Sequence, residues 1–382
     1  MHIAWLGKKS PFCGNVTYSR EVTNALLDRG HQVSFFHFDH SEAGGDRHSE
    51  IQEVSIPCLY KSQIYTIPSL KSSRVLVESL RRLKPDLVHA SLTLSPLDFL
   101  LPEICEELNL PLVATFHPPF DYKRRNLTSG TQHLTYQVYA PFLANYDRVI
   151  VFSDIQRDLL MRLGVPGKTV AVIPNGVDIS KYCPGPSSFK AQLHTDRLFV
   201  YQGRISPEKN VEALLRAWKH SDMGDRCRLV IVGNGPLAPS LMASYTSEHG
   251  IMWMGFVADE QRRIEILRGA DVFILPSLVE GLSLSLLEAM ACRLACLATD
   301  AGADGEALAD GAGVILNTQR VTAQLRTLLP ICRDHPELTD SLGHKARQRV
   351  LARYTLSQNI TRLELLYEQV RQQRAVSLSR LF

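Results

Sequence analysis

Short apolar runs of strand length alternate with longer amphipathic segments along nearly the whole chain, and this rhythm limits the folds open to it. Strand, amphipathic helix, strand is the βαβ unit, whose parallel sheet must be covered by helices. In the first half the strands read as "HIAWLG", "QVSFFHF", "DLVHAS", "LVATFH", "RVIVFS" and "VAVIP", with helical segments near 15–29, 69–83, 97–108, 134–145 and 154–163. The stretch "PNGVDISKYCPGPSS", 174–188, is dense in turn formers and interrupts the pattern. The rhythm restarts with "LFVYQG", "RLVIVG", "IMWMGF", "DVFILP", "LACLAT" and "GAGVIL". The fold class is therefore α/β, with two successive doubly wound domains, as a 382-residue chain exceeds what one core usually holds. The domains are placed at 1–180 and 181–355. In the closing helix, Ile360, Leu363, Leu366, Tyr367 and Val370 recur at helical spacing.

Charge narrows the function classes. Forty-two Lys and Arg against thirty-nine Asp and Glu leave a formal charge of +3, which argues against a nucleic-acid partner and makes any basic patch local. The eight cysteines are scattered with no Cys-x-x-Cys pair, so reduced thiols in a cytoplasmic protein are expected, and the sequons at Asn15, Asn126 and Asn359 are coincidental. The amino-terminal apolar stretch is too short for a signal peptide. No run of ~20 apolar residues offers a membrane span. Peripheral attachment to the cytoplasmic membrane face stays open.

In open parallel sheets, ligands bind beyond the carboxyl ends of the strands, so two such domains facing each other would line a cleft with residues that follow strands. "YQGRISPEKN" (201–210) ends a strand at Gly203, follows it with Arg204, and brings Lys209 to the start of the next helix. Two cations and a helix amino terminus suit a diphosphate. The alternative is a solvated loop with surface cations. "SLVEGLSLSLLEAMA" (277–291) puts Glu280 and Gly281 in the loop after "DVFILP" and Glu288 in a helix that is apolar almost all round. A carboxylate there needs a partner. The hydroxyls of a ribose would serve Glu288, leaving Glu280 to face a transferred sugar. The alternative partner for Glu288 is an Arg or Lys of the core.

"GNGPLA" (233–238) matches Gly-x-Gly-x-x-Ala weakly, because it follows the second strand of its domain and Trp253 stands where a ribose-binding acid belongs. A tight turn with Pro236 at the first helical position explains it more simply. Gly14 in "FCGN" lies in the first loop, where a missing side chain lets backbone approach a ligand, and His117 in "ATFHPPF" ends a strand.

Together these motifs resemble the retaining GT-B glycosyltransferases, the large Glu-x7-Glu family of sucrose-phosphate synthases, phosphatidylinositol mannosyltransferases and galactolipid synthases. The likeness also rests on "IPNGVD" (173–178), "MGFV" (254–257) and "LATDAGADGE" (297–306). It implies two facing Rossmann-like domains, with a crossover helix, 356–382, returning to the first. It implies that Arg204 and Lys209 bind the donor diphosphate, that Glu288 binds the ribose, and that Glu280 contacts the donor sugar. Backbone at Leu284 and Ser285 would hold phosphate, Phe256 and Val257 would contact the base, Gly14 would approach the diphosphate, and His117 would lie near donor sugar and acceptor. Two departures stand out: Cys13-Gly14 replaces a paired glycine, and Asp304-Gly305-Glu306 replaces the usual Pro-Glu.

No Asp-x-Asp triplet occurs, so the two cations take the place of a metal ion, and no cofactor is expected. For the acceptor, Lys71, Arg74, Arg81 and Arg82 on the 69–83 helix and Lys123, Arg124 and Arg125 in "YKRRN" suggest an anionic membrane surface. The resemblance extends to a bacterial digalactosyldiacylglycerol synthase, which implies a hexosyltransferase moving galactose or glucose from a UDP-sugar to a glycolipid. The alternatives are a soluble sugar or sugar phosphate acceptor, a nucleotide-sugar epimerase, and a non-catalytic nucleotide-sugar sensor.

Overall fold

The computed structural model describes residues 1–10, 13–39, 52–120 and 127–379. The chain forms two compact units. The first holds the described residues of Met1–Pro118, Asn126–Pro174 and Leu356–Phe382, and the second those of Pro119–Arg125 and Asn175–Thr355.

The first unit is built on β1 (His2–Gly7), β2 (Gln32–Asp39), β3 (Gln52–Lys61), β4 (Thr66–Pro68), β5 (Leu87–Ser91), β6 (Leu112–Thr115), β7 (Arg148–Val151) and β8 (Val170–Val172). Their order is β4-β3-β2-β1-β5-β6-β7-β8, parallel except for the β3–β4 pair. Strands covered on both faces read as continuous apolar runs, which is why "HIAWLG" and "LVAT" were legible. β3 and β4 were not foreseen. Val54, Ile56 and Cys58 alternate inward along β3, but Pro57 argues against a strand. The pairing tolerates it because Pro57 faces Asp39, the last residue of β2.

Helix Gly14–Asp28 and helix Leu356–Ser379 pack together in this unit. The long helix is fastened through Tyr367, whose hydroxyl lies 2.6 Å from His89 Nδ1, while His89 Nε2 lies 2.8 Å from Thr115 Oγ1. Burial holds the His89 imidazolium well below its usual range, so the ring is a neutral hydrogen-bonding hinge stacked on Trp5. Glu364 adds surface contacts to Arg29 and His31. The helix foreseen at 134–145 runs over Leu127–Leu143; its opening turn, "LTSGT", is helical despite its low intrinsic helix propensity, which is why it was not foreseen. The helix foreseen at 69–83 starts at Ser72.

The second unit contains β9 (Arg197–Gln202), β10 (Cys227–Val232), β11 (Ile251–Gly255), β12 (Val272–Leu275), β13 (Ala295–Thr299) and β14 (Val314–Leu316). All pairs are parallel, in the order β11-β10-β9-β12-β13-β14. The chain winds outward from β9 and then reverses at β12. The gap between the carboxyl ends of β9 and β12 is the topological switch point, where such sheets bind ligands.

The loops after β9 and β10 are zipped together backbone to backbone. Gly203 N donates to Val232 O (2.9 Å), Ile205 N to Asn234 O (3.0 Å) and Leu237 N to Ile205 O (3.1 Å). A Cβ on Gly233, whose φ is +138°, would lie 1.8 Å from Gly203 O, and one on Gly235 would lie 2.3 Å from Ile205 O. The glycines of "GNGPLA" thus serve a seam between loops. Pro236 stands in a turn, two residues before helix Ala238–Ser244, rather than at its first position.

Gly233→Ala is expected to cost at least about 3 kcal/mol, since it combines a forbidden φ with a backbone clash. Gly224→Ala, at φ +72° with open space around its Cβ, should cost only roughly 1–2 kcal/mol. Urea unfolding of both variants checks this; equal losses would contradict it.

Candidate functional site

The site in the second unit grows from the switch point. Arg204 follows Gly203 directly after β9, and Tyr201 Oη donates to Arg204 O (2.7 Å), pinning the loop. The Arg204 guanidinium contacts Glu208, which also accepts from Ser206 Oγ at 2.6 Å. Lys209 does not open the following helix. It closes a short 3-10 turn, Pro207–Lys209, and Asn210 at φ 51° separates it from helix Val211–Lys219.

From that turn Lys209 Nζ reaches Glu280 Oε1 at 2.5 Å. The two loops are also joined by Leu278 N to Glu208 O (2.8 Å) and Asn210 Nδ2 to Pro276 O (3.2 Å). The Glu280 side chain is only 8% exposed. Behind it, Gly302 (φ +58°) packs so closely that a Cβ would meet Glu280 O at 2.2 Å, and Ala303 N donates to Gly281 O at 2.6 Å. A bulkier residue at 302 would push the Glu280–Gly281 loop outward.

Ser283 caps helix Leu284–Ala291 through Leu286 N (3.4 Å), leaving Leu284 and Ser285 as its first turn, where backbone N–H groups lack helical acceptors. Ser283 N itself donates to Asp304 Oδ1 at 2.8 Å. Asp304 is fully buried, and its Oδ2 has no hydrogen-bond partner among the described residues. Burial first, and then the Glu280 charge, hold its carboxyl well above the usual range against the pull of Lys209. Asp304 therefore holds its proton more tightly than an ordinary carboxyl, beside the Glu280–Lys209 pair.

Glu288 lies about one turn into the same helix, where Gln202 Nε2 donates to Oε2 at 2.8 Å. Burial pushes its carboxyl up to about 7, with Arg263, Gln202 and Tyr182 opposing. Among the described residues it forms no ion pair, so a core Arg or Lys salt bridge is not what holds it. Arg263 instead donates to Val257 O (2.9 Å) and Ala258 O (2.8 Å), fixing the segment that presents the exposed Phe256.

In the first unit, the loops after β1, β5 and β6 gather Gly14 and His117. His117 Nε2 lies 2.8 Å from Ser91 Oγ, which donates to Asn15 Oδ1 at 2.8 Å. Asn15 Nδ2 donates to Leu92 O. Among the described residues, and apart from Gly14's chain neighbours and its own helix backbone, no atom lies within 4 Å of where a Gly14 side chain would begin. Burial, then the Lys8 charge, push the His117 imidazolium down to about 3, so this ring is a neutral hydrogen-bonding group at physiological pH.

The cations of the 69–83 segment behave differently. Leu76 and Leu80 are buried against β3 and helix Leu97–Glu107, so the helix spends its apolar face within its own unit. Arg74 pairs with Glu78 and Arg81 with Glu107, while Lys71 and Arg82 are exposed. Lys123, Arg124 and Arg125 lie outside the described residues. Gln202, Tyr182, Arg263 and Asp304 were missed. Their neutral or inward side chains matter only through partners far along the chain, although Gln202 at a strand end beside Gly203 was a usable signal.

Comparison with known proteins matches two family models: "Glycosyl transferases group 1" over residues 187–349 and "Glycosyltransferase Family 4" over residues 13–181. The chain is 30% identical over 155 residues to the putative glycosyltransferase EpsF of Bacillus subtilis, covering 39% of this chain and 40% of that protein. It is 24% identical over 331 residues to the UDP-Gal:alpha-D-GlcNAc-diphosphoundecaprenol alpha-1,3-galactosyltransferase of Escherichia coli, covering 83% of this chain and 84% of that one. Among solved structures, the sucrose-phosphate synthase of Thermosynechococcus elongatus superposes with a TM-score of 0.77 at 22% identity, over 97% of this chain and 98% of that one. HepE of Anabaena, in complex with UDP-glucose, superposes with a TM-score of 0.74 at 18% identity over the full length of both.

The Glu288 carboxyl titrates near 7 in the fold against 4.5 when unperturbed, so its proton is held more tightly folded than unfolded. Wild-type stability relative to Glu288→Gln should be greatest below the unfolded value and fall as pH rises toward and through the folded one. Thermal melts of both proteins from about pH 4 to about pH 8 check this. Parallel curves would contradict it.

Proposed function

We propose that this chain, which belongs to the group 1 glycosyltransferases and has the GT-B fold, is a retaining, metal-independent hexosyltransferase that moves galactose or glucose from a UDP-sugar to a membrane glycolipid such as a galactosyldiacylglycerol. The observation that carries the reading is the Lys209–Glu280 contact at the switch point, next to Arg204 and with a carboxylate, Glu288, that has no ionic partner among the described residues. An arriving diphosphate offers Lys209 and Arg204 an anion of higher charge. The two cations stabilise the negative charge that grows on the leaving phosphate as the bond from C1 to the phosphate oxygen breaks.

Glu280, released from Lys209, contacts the donor sugar. Glu288 accepts hydrogen bonds from the ribose hydroxyls, which offsets the cost of ionising it in a buried place. The first-turn N–H groups at Leu284 and Ser285 hold phosphate. Phe256 and Val257, steadied by Arg263, meet the base. Gly14 lets backbone approach the diphosphate, and His117, neutral, serves as a hydrogen-bonding group beside sugar and acceptor. In this reading the acceptor oxygen attacks C1 from the face the phosphate leaves, and its proton passes to a phosphate oxygen, so configuration is retained without an enzymic nucleophile.

HepE was solved with UDP-glucose, which supports a UDP-sugar donor, and the galactosyltransferase relative is named for UDP-Gal and a diphosphoundecaprenol-linked acceptor, which supports both that donor and a lipid-borne acceptor. The described residues contain no helix long and apolar enough to cross a membrane, so the acceptor would be met at a surface.

Radiolabelled UDP-galactose, UDP-glucose and GDP-mannose, each with and without glycolipid vesicles, test the assignment. Transfer from a UDP-sugar that requires the vesicles is expected; vesicle-independent turnover on a soluble sugar would contradict the lipid acceptor. Lys209→Ala should lower kcat at least about 100-fold. A near-wild-type rate would remove Lys209 from the catalytic set.

A further inference from the structure

The helix spends its leucines inside its own unit, but the strand pair before it does the reverse. Leu59, Tyr60, Ile64, Tyr65 and Ile67 are exposed around β3 and β4, and Leu70, in the turn that follows, is completely so. The tip is also built to stay out. The buried Lys8 ammonium donates to Ser62 O (3.2 Å) and Gln63 O (3.1 Å), and Ser62 Oγ accepts from Ile64 N and Tyr65 N. The rings of Tyr60 and Tyr65 lie 5.5 Å apart. An ordered turn that holds aliphatic and phenolic side chains in water gains nothing for the fold, and such a patch marks an interaction surface.

Its chemistry selects the partner. From Val54 to Val77 the chain has no acidic residue, while Lys61, Lys71 and Arg74 border the apolar tip. Lys61 meets Asp39 and Arg74 meets Glu78, so part of that charge is balanced locally, but the segment's own sign is wholly positive. Aliphatic side chains, tyrosines and basic residues side by side match the acyl boundary, headgroup level and anionic surface of a bilayer. A second copy is the weaker fit. β4 is the sheet's outer strand, but it has three residues and ends in Pro68, which leaves little backbone for strand addition.

We infer that the β3–β4 tip and the turn at Leu70 form a docking surface for an anionic lipid bilayer. The inference extends the lipid-acceptor reading; it shares Lys71 and Arg74 with the basic segment already noted, rests otherwise on the exposed β3–β4 tip, and uses no residue of the donor site.

Co-sedimentation of the whole chain with phosphatidylglycerol vesicles tests it, with phosphatidylcholine vesicles for comparison. Wild type should bind the former, less so as salt rises. An Ile64→Ser, Leu70→Ser double variant should lose at least about ten-fold in vesicle partition while its UDP affinity and circular dichroism stay unchanged. Equal binding by variant and wild type, or no wild-type binding, would overturn the surface. So would a variant that turns a dimer into a monomer without changing vesicle partition. The two readings fail separately. Vesicle docking with transfer only to soluble sugars sinks the lipid acceptor alone, and glycolipid transfer in detergent without docking sinks the surface alone.

Discussion

The 2.5 Å contact between Lys209 and Glu280 is the interaction around which the second unit is arranged. Drawing two charges out of water costs more than most pairs return, and the arrangement persists only where the surroundings fix both partners. Here the surroundings are the loops after β9 and β12, the strands on either side of the topological reversal. Their meeting is dictated by the winding order of the sheet, so the pair stands where a parallel sheet has open space for a ligand.

Close backbone approaches hold those loops at that distance. Gly233 and Gly235 lie against Gly203 and Ile205, and Gly302 lies against Glu280 and Gly281, each with no room for a side chain. The loops therefore pack as one continuous wall. A polar layer beneath completes it, with Asp304 taking the Ser283 N–H and Gln202 taking Glu288. Burial raises both the Asp304 carboxyl, helped by the Glu280 charge, and the Glu288 carboxyl, the latter to about 7.

Much of this was legible in the sequence, for a physical reason. Fully buried parallel strands are continuous apolar runs, and ligands gather at their carboxyl ends, so Gly203, Arg204 and Glu280 could be placed from local pattern alone. What was hidden depends on pairing across the chain. β3 was obscured by Pro57, whose tolerance rests on its place opposite the last residue of β2. The 69–83 helix read as a surface element because its leucines and arginines are equally compatible with packing inward; β3, one of the two elements it packs on, was itself unforeseen. Lys209 was placed on a helix because "SPEKN" resembles a helix start, whereas Asn210 takes a left-handed conformation that ends the first turn. Asp304 fell at a departure from the family pattern, and its partners, Ser283 and Glu280, lie more than twenty residues away.

The central claim is that two side chains, Arg204 and Lys209, carry the charge of the departing diphosphate without a divalent cation. The direct measurement is initial turnover of the purified enzyme in excess chelator, compared with added magnesium and manganese. The account predicts equal rates across all three conditions. Activity lost in chelator and restored by either metal would contradict it.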